Sequence, residues 1–272
     1  MRKNRVIAVV IPGTIFLFMY SCIKPGPDFD PRDGNIVYSN CRIKTVTEWN
    51  GYPPESSYYR LYEYNNNNDP IKVTVGPYQG MGLPDLYFKY DNKKRLTEFG
   101  ADFHVATEYD FQFIHRYGYL QNRITTDTVY ELGFFDARRN PVNYVNKFLK
   151  YLTYDNLNRI IQDSMIIVFP AIQGPAIVGN ISYDANGNRI ILDPKLQTRI
   201  PYDNKLNPAR TNYVWMFITR NYSLNNPVGA TSYNNHGLPL TFSPEQAGNK
   251  PPVLIISGPS YSDSTVVVYD CR

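Results

Sequence analysis

The 272-residue chain is poor in the residues that most enzyme chemistry uses, with 3 Cys, 3 His and 2 Trp. Around His104, His115 and His236 there is no HExxH, no cysteine-rich zinc pattern, no Gly-x-Ser-x-Gly elbow and no phosphate loop. No catalytic residue, metal site or cofactor is therefore expected, and the chain reads as a non-enzyme. An excess of one charge sign is also missing. Without Arg2, Lys3 and Arg5 at the N-terminus, the 28 basic residues nearly balance the 24 acidic ones. No basic stripe is left to neutralise phosphates, so nucleic acid is not an expected partner. The apolar run Val6–Tyr20 contains Pro12 and Gly13 and falls short of the roughly 20 residues a spanning helix needs.

A short apolar run behind a basic start reads as a secretion signal. Within it, Phe18-Met19-Tyr20-Ser21-Cys22 resembles the lipobox of bacterial lipoproteins, with a small residue just before a cysteine. The resemblance implies a signal peptide over residues 1–21 and a palmitate-type acyl chain on Cys22. The acyl chain would hold the protein at the outer membrane of the cell envelope without spanning it. The alternative is ordinary signal cleavage nearby, which leaves Cys22 as a free thiol or removes it. Residues 22–35 then form a tether, because Ile23–Asn35 combines three Pro, two Gly and three Asp with little to bury. Acidic residues this close to Cys22 resemble surface-export signals of some Gram-negative lipoproteins, and both surface display and a periplasmic orientation stay open.

Residues 36–272 form the folded domain. Cys41 and Cys271 are the two cysteines left in an exported chain and are a candidate disulfide. Closing so long a loop would contribute roughly 5 kcal/mol in the chain-entropy view. The alternative is two buried thiols. A bond would bring the ends of the domain together and favour a closed or wrapped sheet over an open rod.

One pattern recurs along this domain. An aromatic residue is followed by Asp or Asn, a short polar stretch, then Arg or Pro and an apolar residue. It begins at Tyr64, Tyr90, Phe135, Tyr154, Tyr183, Tyr202 and Tyr233, with a degenerate copy from Tyr117. The chemistry is that of hairpins: the Asp or Asn accepts from following amides, and Asn or Gly takes left-handed backbone. Asn186-Gly187 is the strongest single turn signal. Pro70, Pro141, Pro208 and Pro239 lack an amide donor, so those strand starts belong at edges or outside the ladder.

These units resemble the YD repeats of RHS-type proteins and, more closely, those of β-rich lipoproteins of Gram-negative bacteria. The resemblance runs from about Tyr58 to Leu240. It implies an all-β architecture and says almost nothing about activity, since it describes hairpins.

The expected fold is an antiparallel meander of repeated hairpins forming a twisted or partly closed sheet, with at most one or two short helices. Ser57–Tyr64, Asp85–Tyr90, Met165–Phe169 and Thr265–Tyr269 read as strands. Val145, Phe148, Leu149 and Leu152 follow a helical period after Asn140-Pro141, and one turn of helix is expected at Pro244–Ala247.

Function is less legible. Asp91, Asp136, Asp155, Asp184 and Asp203 occupy turn positions and are better explained as hairpin caps than as a glycosidase pair. His104 and His115 flank Glu108-Tyr109-Asp110, so a small acid–base or metal site is conceivable, although strand histidines usually need no functional explanation. Asp127-Thr128, Asp163-Ser164 and Asp263-Ser264 are similar to O-glycosylation sites of some Gram-negative envelopes, and the repeat Asn-Arg-Ile-x-x-Asp explains part of that. Aromatic faces stack on sugars, and Trp49, Tyr52, Tyr58, Tyr59 and Trp215 lie outside the turn signature as candidate ligand contacts. The leading expectation is a lipid-anchored, non-catalytic envelope protein that binds a glycan or a partner protein. A purely structural envelope component and a carbohydrate-active enzyme are the alternatives.

Overall fold

The computed structural model describes residues 40–49, 58–76, 84–102, 110–170, 174–191, 199–227, 229–242 and 264–271, with only the backbone of Trp49. The signal, Cys22, the tether, Tyr52, His104, Glu108, Tyr109, Pro244–Ala247 and Asp263 lie outside the described residues. The strands are β1 (Cys41–Trp49), β2 (Tyr58–Tyr64), β3 (Pro70–Gly76), β4 (Asp85–Tyr90), β5 (Leu96–Asp102), β6 (Asp110–Leu120), β7 (Arg123–Phe135) and β8 (Pro141–Val142). They continue as β9 (Asn146–Tyr154), β10 (Ile160–Phe169), β11 (Ile177–Asn180), β12 (Tyr202–Leu206), β13 (Asn225–Pro227), β14 (Ala230–Tyr233), β15 (Pro239–Phe242) and β16 (Ser264–Cys271). One helix, α1 (Tyr213–Ile218), follows a 3-10 turn at Pro208–Thr211.

Fourteen strands form a single antiparallel sheet in the order β11-β10-β9-β7-β6-β5-β4-β3-β2-β1-β16-β15-β14, with β8 alongside β7, while β12 and β13 pair separately. The chain thus meanders outward from β1 to β11, leaves the sheet, and returns on the other side of β1. That return places Cys41 opposite Cys271 in the β1–β16 ladder, and the two are disulfide-bonded. The expected all-β meander is therefore the architecture observed, with β11 and β14 at the ends of the strand order.

The hairpins repeat one geometry, set by the Asp or Asn after the aromatic. Asp155 accepts from the amides of Leu157 and Arg159, both at 2.9 Å. Its own amide donates to the Arg159 carbonyl at 3.0 Å, and Asn158 takes φ of +58°. The same closure forms at Asn65, Asp91, Asp136, Asp184 and Asn234. In these turns the left-handed residue is Asn68, Lys94, Arg139, Gly187 or Gly237. Carboxylate and carboxamide serve equally because only an acceptor oxygen is needed. The degenerate copy is corrected by one position pair: Tyr119, not Tyr117, takes the repeat's aromatic place, ahead of a tighter turn with Gln121 at φ of +57°.

The aromatics then join neighbouring hairpins. The hydroxyl of Tyr90 donates to the carbonyl of Pro70 (2.8 Å), Tyr119 to Leu96 (2.7 Å), Tyr154 to Ile124 (2.8 Å) and Tyr269 to Pro239 (3.0 Å). Each acceptor lies at or next to the start of a returning strand. Arginines of the signature add a second tie, with Arg95 4.3 Å from the Tyr119 ring centroid and Arg159 4.0 Å from that of Tyr183. Arg95 and Arg159 also pair with the turn carboxylates Asp91 and Asp155, both at 2.7 Å. Pro208 opens the 3-10 turn, outside the ladder as expected. Pro70 and Pro239, however, open β3 and β15, which are interior strands, and Pro141 opens β8 beside β7. All three pair within the ladder, so the expectation of edge positions is corrected: a first strand residue has no need of its amide donor.

The helix lies where the local pattern did not place it. Residues 145–152, which follow a helical period, form most of β9, which pairs with β7 on one side and β10 on the other. Neighbouring strands overrode the periodicity. The observed helix, Tyr-Val-Trp-Met-Phe-Ile, is apolar all round and so has no amphipathic signature. It packs on the inner face of the sheet, where Trp215 is fully buried and meets Tyr62, Tyr64 and Phe88 edge-on at 5.5, 6.4 and 5.5 Å. Asn207 caps the 3-10 turn through the Ala209 amide and Asn212 caps α1 through the Val214 amide. The Asn212 side chain also donates to the Asn68 carbonyl at 2.7 Å, tying the helix to the first turn. Segment 207–223 is in effect a plug packed against one face of the sheet, which the disulfide does not close into a barrel.

Candidate binding cleft

The cleft arises where the repeat fails to close. The unit at Tyr183 makes the standard turn: Asp184 accepts from Asn186 and Asn188 at 2.9 Å, and Gly187 sits at φ of +78°. The next unit, at Tyr202, stays extended as β12. Asp203 accepts only the Lys205 amide in the manner of a turn, at 2.7 Å. Its second oxygen accepts instead from the Tyr233 hydroxyl and from Asn226 Nδ2. The Tyr202 hydroxyl donates to the Arg189 carbonyl at 2.7 Å, holding the opened strand beside the closed turn. Asn188 and Asn225 lock the floor by a reciprocal pair, Nδ2 to Oδ1 at 3.1 Å and amide to Oδ1 at 2.9 Å.

Between these elements lies a cleft of about 710 Å³, lined by Asp184, Asn186, Asn188, Arg199, Ile200, Pro201, Tyr202, Asp203, Asn204 and Asn225. Ile200, Pro201 and the ring of Tyr202 contribute apolar surface. Amides and carboxylates of this density offer both donors and acceptors, which suits a polyol better than an apolar ligand. Asn186, Arg199 and Asn204 are exposed. Burial raises the Tyr202 phenol above its ordinary value, against the pull of the Ser223 hydroxyl and Arg189, so it stays a neutral donor. The titratable side chains of the lining are Asp184, Asp203, Arg199 and Tyr202.

The aromatic candidates read from sequence do not assemble into a platform. Trp215 is a core residue with no exposed surface, so it is corrected from ligand contact to structural anchor. Tyr58 is 8% exposed and packs beside the buried Arg60–Glu48 ion pair, with its phenol pushed up to about 12 chiefly by burial and then by Glu48. It too is corrected, since no ligand can stack on it. Tyr59 is exposed on the opposite face of β2, where its ring lies across Gly76 of the paired strand. The cleft residues themselves were hidden in the turn signature. The one available signal was Leu206, which stands where closed turns place Asn, Gly, Lys or Arg.

His115 finds its partner elsewhere than expected. It lies five residues along β6 from Asp110, roughly 17 Å in extended chain. Its Nδ1 instead meets both oxygens of Asp127, at 2.9 and 3.0 Å. Arg220 completes the cluster, reaching Asp127 at 3.2 Å and Asp163 at 3.4 Å. Burial opposes the Asp127 charge, but His115, Arg220 and Lys150 together hold its carboxyl below the ordinary range. The two Asn-Arg-Ile-x-x-Asp segments thus converge on one buried guanidinium of the plug. Asp127 is fully buried in this cluster, and Ser164 lies inside β10 between two paired strands. Cys41, Cys271 and the ring of His236 meet at the β1–β16 seam.

No family model matches the chain, and no curated protein matches it. Among solved structures, those titled TcdB2-TccC3-Cdc42 and TcdB2-TccC3 without hypervariable C-terminal region are similar at 13% identity and a TM-score of 0.29. Each alignment covers 68% of this chain and 9% of the other, so the chain spans about a tenth of the length of those it matches.

Proposed function

We propose that the protein is a lipid-anchored, non-catalytic component of the cell envelope that binds a glycan in the cleft between the Tyr183 and Tyr202 units. The single observation that carries this reading is the cleft's lining: seven of its ten residues are Asn, Asp or Arg, and Asn186, Arg199 and Asn204 present side chains to solvent. Binding through the carboxamides of Asn186 and Asn204 and the guanidinium of Arg199 fits a saccharide, whose hydroxyls both donate and accept. The lipobox-like Phe18–Cys22 supports anchoring at Cys22, and the closed turns support the resemblance to YD-repeat lipoproteins.

The test is a saturable pull-down with purified envelope polysaccharide or peptidoglycan. The triple variant Asn186→Ala, Arg199→Ala, Asn204→Ala is expected to lose binding about tenfold or more while its unfolding midpoint stays close to that of the wild type. Equal binding by both proteins would overturn the assignment to this cleft. A Cys22→Ala variant recovered in the soluble fraction would support the anchor, and unchanged membrane association would remove it.

A structural role is the second reading. It is favoured by the ladder of Tyr hydroxyls and Arg side chains, which commits much of the polar surface to holding hairpins together. Absence of any saturable ligand would leave that role.

A further inference from the structure

The seam that joins the first and last strands carries more than a disulfide. Cys41 of β1 and Cys271 of β16 face each other in register, and the turn after β14 brings His236 against them. The two sulfurs and a ring nitrogen of His236 lie within 4.8 Å of one another. The turn that carries His236 is rigid: Asn234 accepts from the amides of His236 and Leu238, both at 2.9 Å, and Gly237 holds φ of +75°. Asn234 also points its amide at Cys271 Sγ, 3.9 Å away. Beside the cluster is a cavity of about 330 Å³ whose walls include His236, Tyr269 and Cys271.

We propose that reduction of this disulfide creates a binding site for a soft divalent cation of the zinc class, with Cys41, Cys271 and His236 as ligands. Two electrons and two protons from a dithiol convert the disulfide into two thiols, and the dithiol leaves as its own disulfide. The cation then displaces both thiol protons to solvent and is held by two thiolates and one neutral imidazole. Zinc takes sulfur at about 2.3 Å and histidine nitrogen at about 2.0 Å, a set that fits within the present spread of ligand atoms. The adjoining cavity leaves room for a fourth ligand. In the oxidised protein the sulfurs are spent on each other, so the seam exchanges one clamp for another: covalent when oxidised, metal-held when reduced. The sequence shows no zinc spacing because the ligands come from three strands' ends.

The experiment uses the purified chain, reduced with dithiothreitol, desalted without oxygen and titrated with cadmium while thiolate-to-cadmium charge-transfer absorption is followed. Saturation at one equivalent in the reduced protein, none in the oxidised protein, and weakening in His236→Ala by more than the roughly tenfold that loss of even an outer-shell partner costs would support the site. Binding that is indifferent to His236→Ala, or equal in the oxidised protein, would overturn it. If reduction alone abolishes near-ultraviolet circular dichroism, recovery of that signal on adding cadmium would support the site, and failure to recover would overturn it.

Discussion

The units at Tyr183 and Tyr202 both begin Tyr-Asp, yet one closes into a hairpin and the other opens into the plug. In the first, Gly187 takes the left-handed position and Asp184 collects two amides. In the second, Leu206 holds that position, remains extended and gives its amide to the Gly237 carbonyl at 3.1 Å. Asn207 then starts the 3-10 turn instead of ending a hairpin. The aromatic and the acid are common to both units, and the units differ at the fourth residue after the aromatic, left-handed in the closed unit and extended in the open one. The open unit supplies both the plug and the cleft, and the closed units supply the wall around them.

The comparison can be broken most forcibly at the plug. Trp215→Ala removes the largest fully buried side chain and should cost about 4 kcal/mol, read as a lower denaturant midpoint. A loss under about 1 kcal/mol would mean that the sheet does not depend on the plug. Next come the two acids. Asp203→Ala breaks contacts to Lys205, Tyr233 and Asn226, and should cost about 2 kcal/mol. Asp155→Ala should cost about 1 kcal/mol, and Asp155→Asn almost nothing, because Asn65 and Asn234 already close the same turn. Equal losses for Asp155→Ala and Asp155→Asn would make charge, not turn geometry, the operative feature.

Alkaline titration sharpens the role of the aromatic ladder. Burial raises the phenols of Tyr58 and Tyr183 to about 12, with the Arg189 and Arg159 charges opposing the rise at Tyr183. An unfolded tyrosine ionises near pH 10. Because the folded state keeps protons that the unfolded state has released, this stabilisation is complete below about pH 10 and is lost as pH rises through about 12. Phenolate absorbance should therefore lag until the fold gives way, then rise cooperatively with loss of circular dichroism. Gradual ionisation from pH 10 without unfolding would contradict a buried ladder. The smallest cost among the truncations is expected at Tyr59, where replacement by Ser uncovers Gly76 and should cost about 0.5–1 kcal/mol, measured by thermal shift.

The turns were legible because every hydrogen bond that closes them spans five residues or fewer, so spacing alone carries the information. Tyr117 was misplaced for the same reason in reverse: Tyr-Gly-Tyr offers two aromatics at the right type of spacing, and only the acceptor, Leu96 on another hairpin, selects Tyr119. The apparent helix at 145–152 failed because its apolar residues answer to two neighbouring strands rather than to one helical face. Trp215 was read as outlying because nothing local shows that a six-residue apolar helix is swallowed by the sheet.

Local spacing sets the hairpin: aromatic, acceptor, left-handed residue and return, with proline where no donor is needed. That chemistry is short-range and costs little entropy to close. Long-range packing sets the rest: β16 returns to β1, Arg220 gathers Asp127 and Asp163, and the Tyr202 unit opens into a cleft. Those choices depend on partners far apart in the chain, selected by burial and charge once the sheet has formed, and no local pattern encodes them.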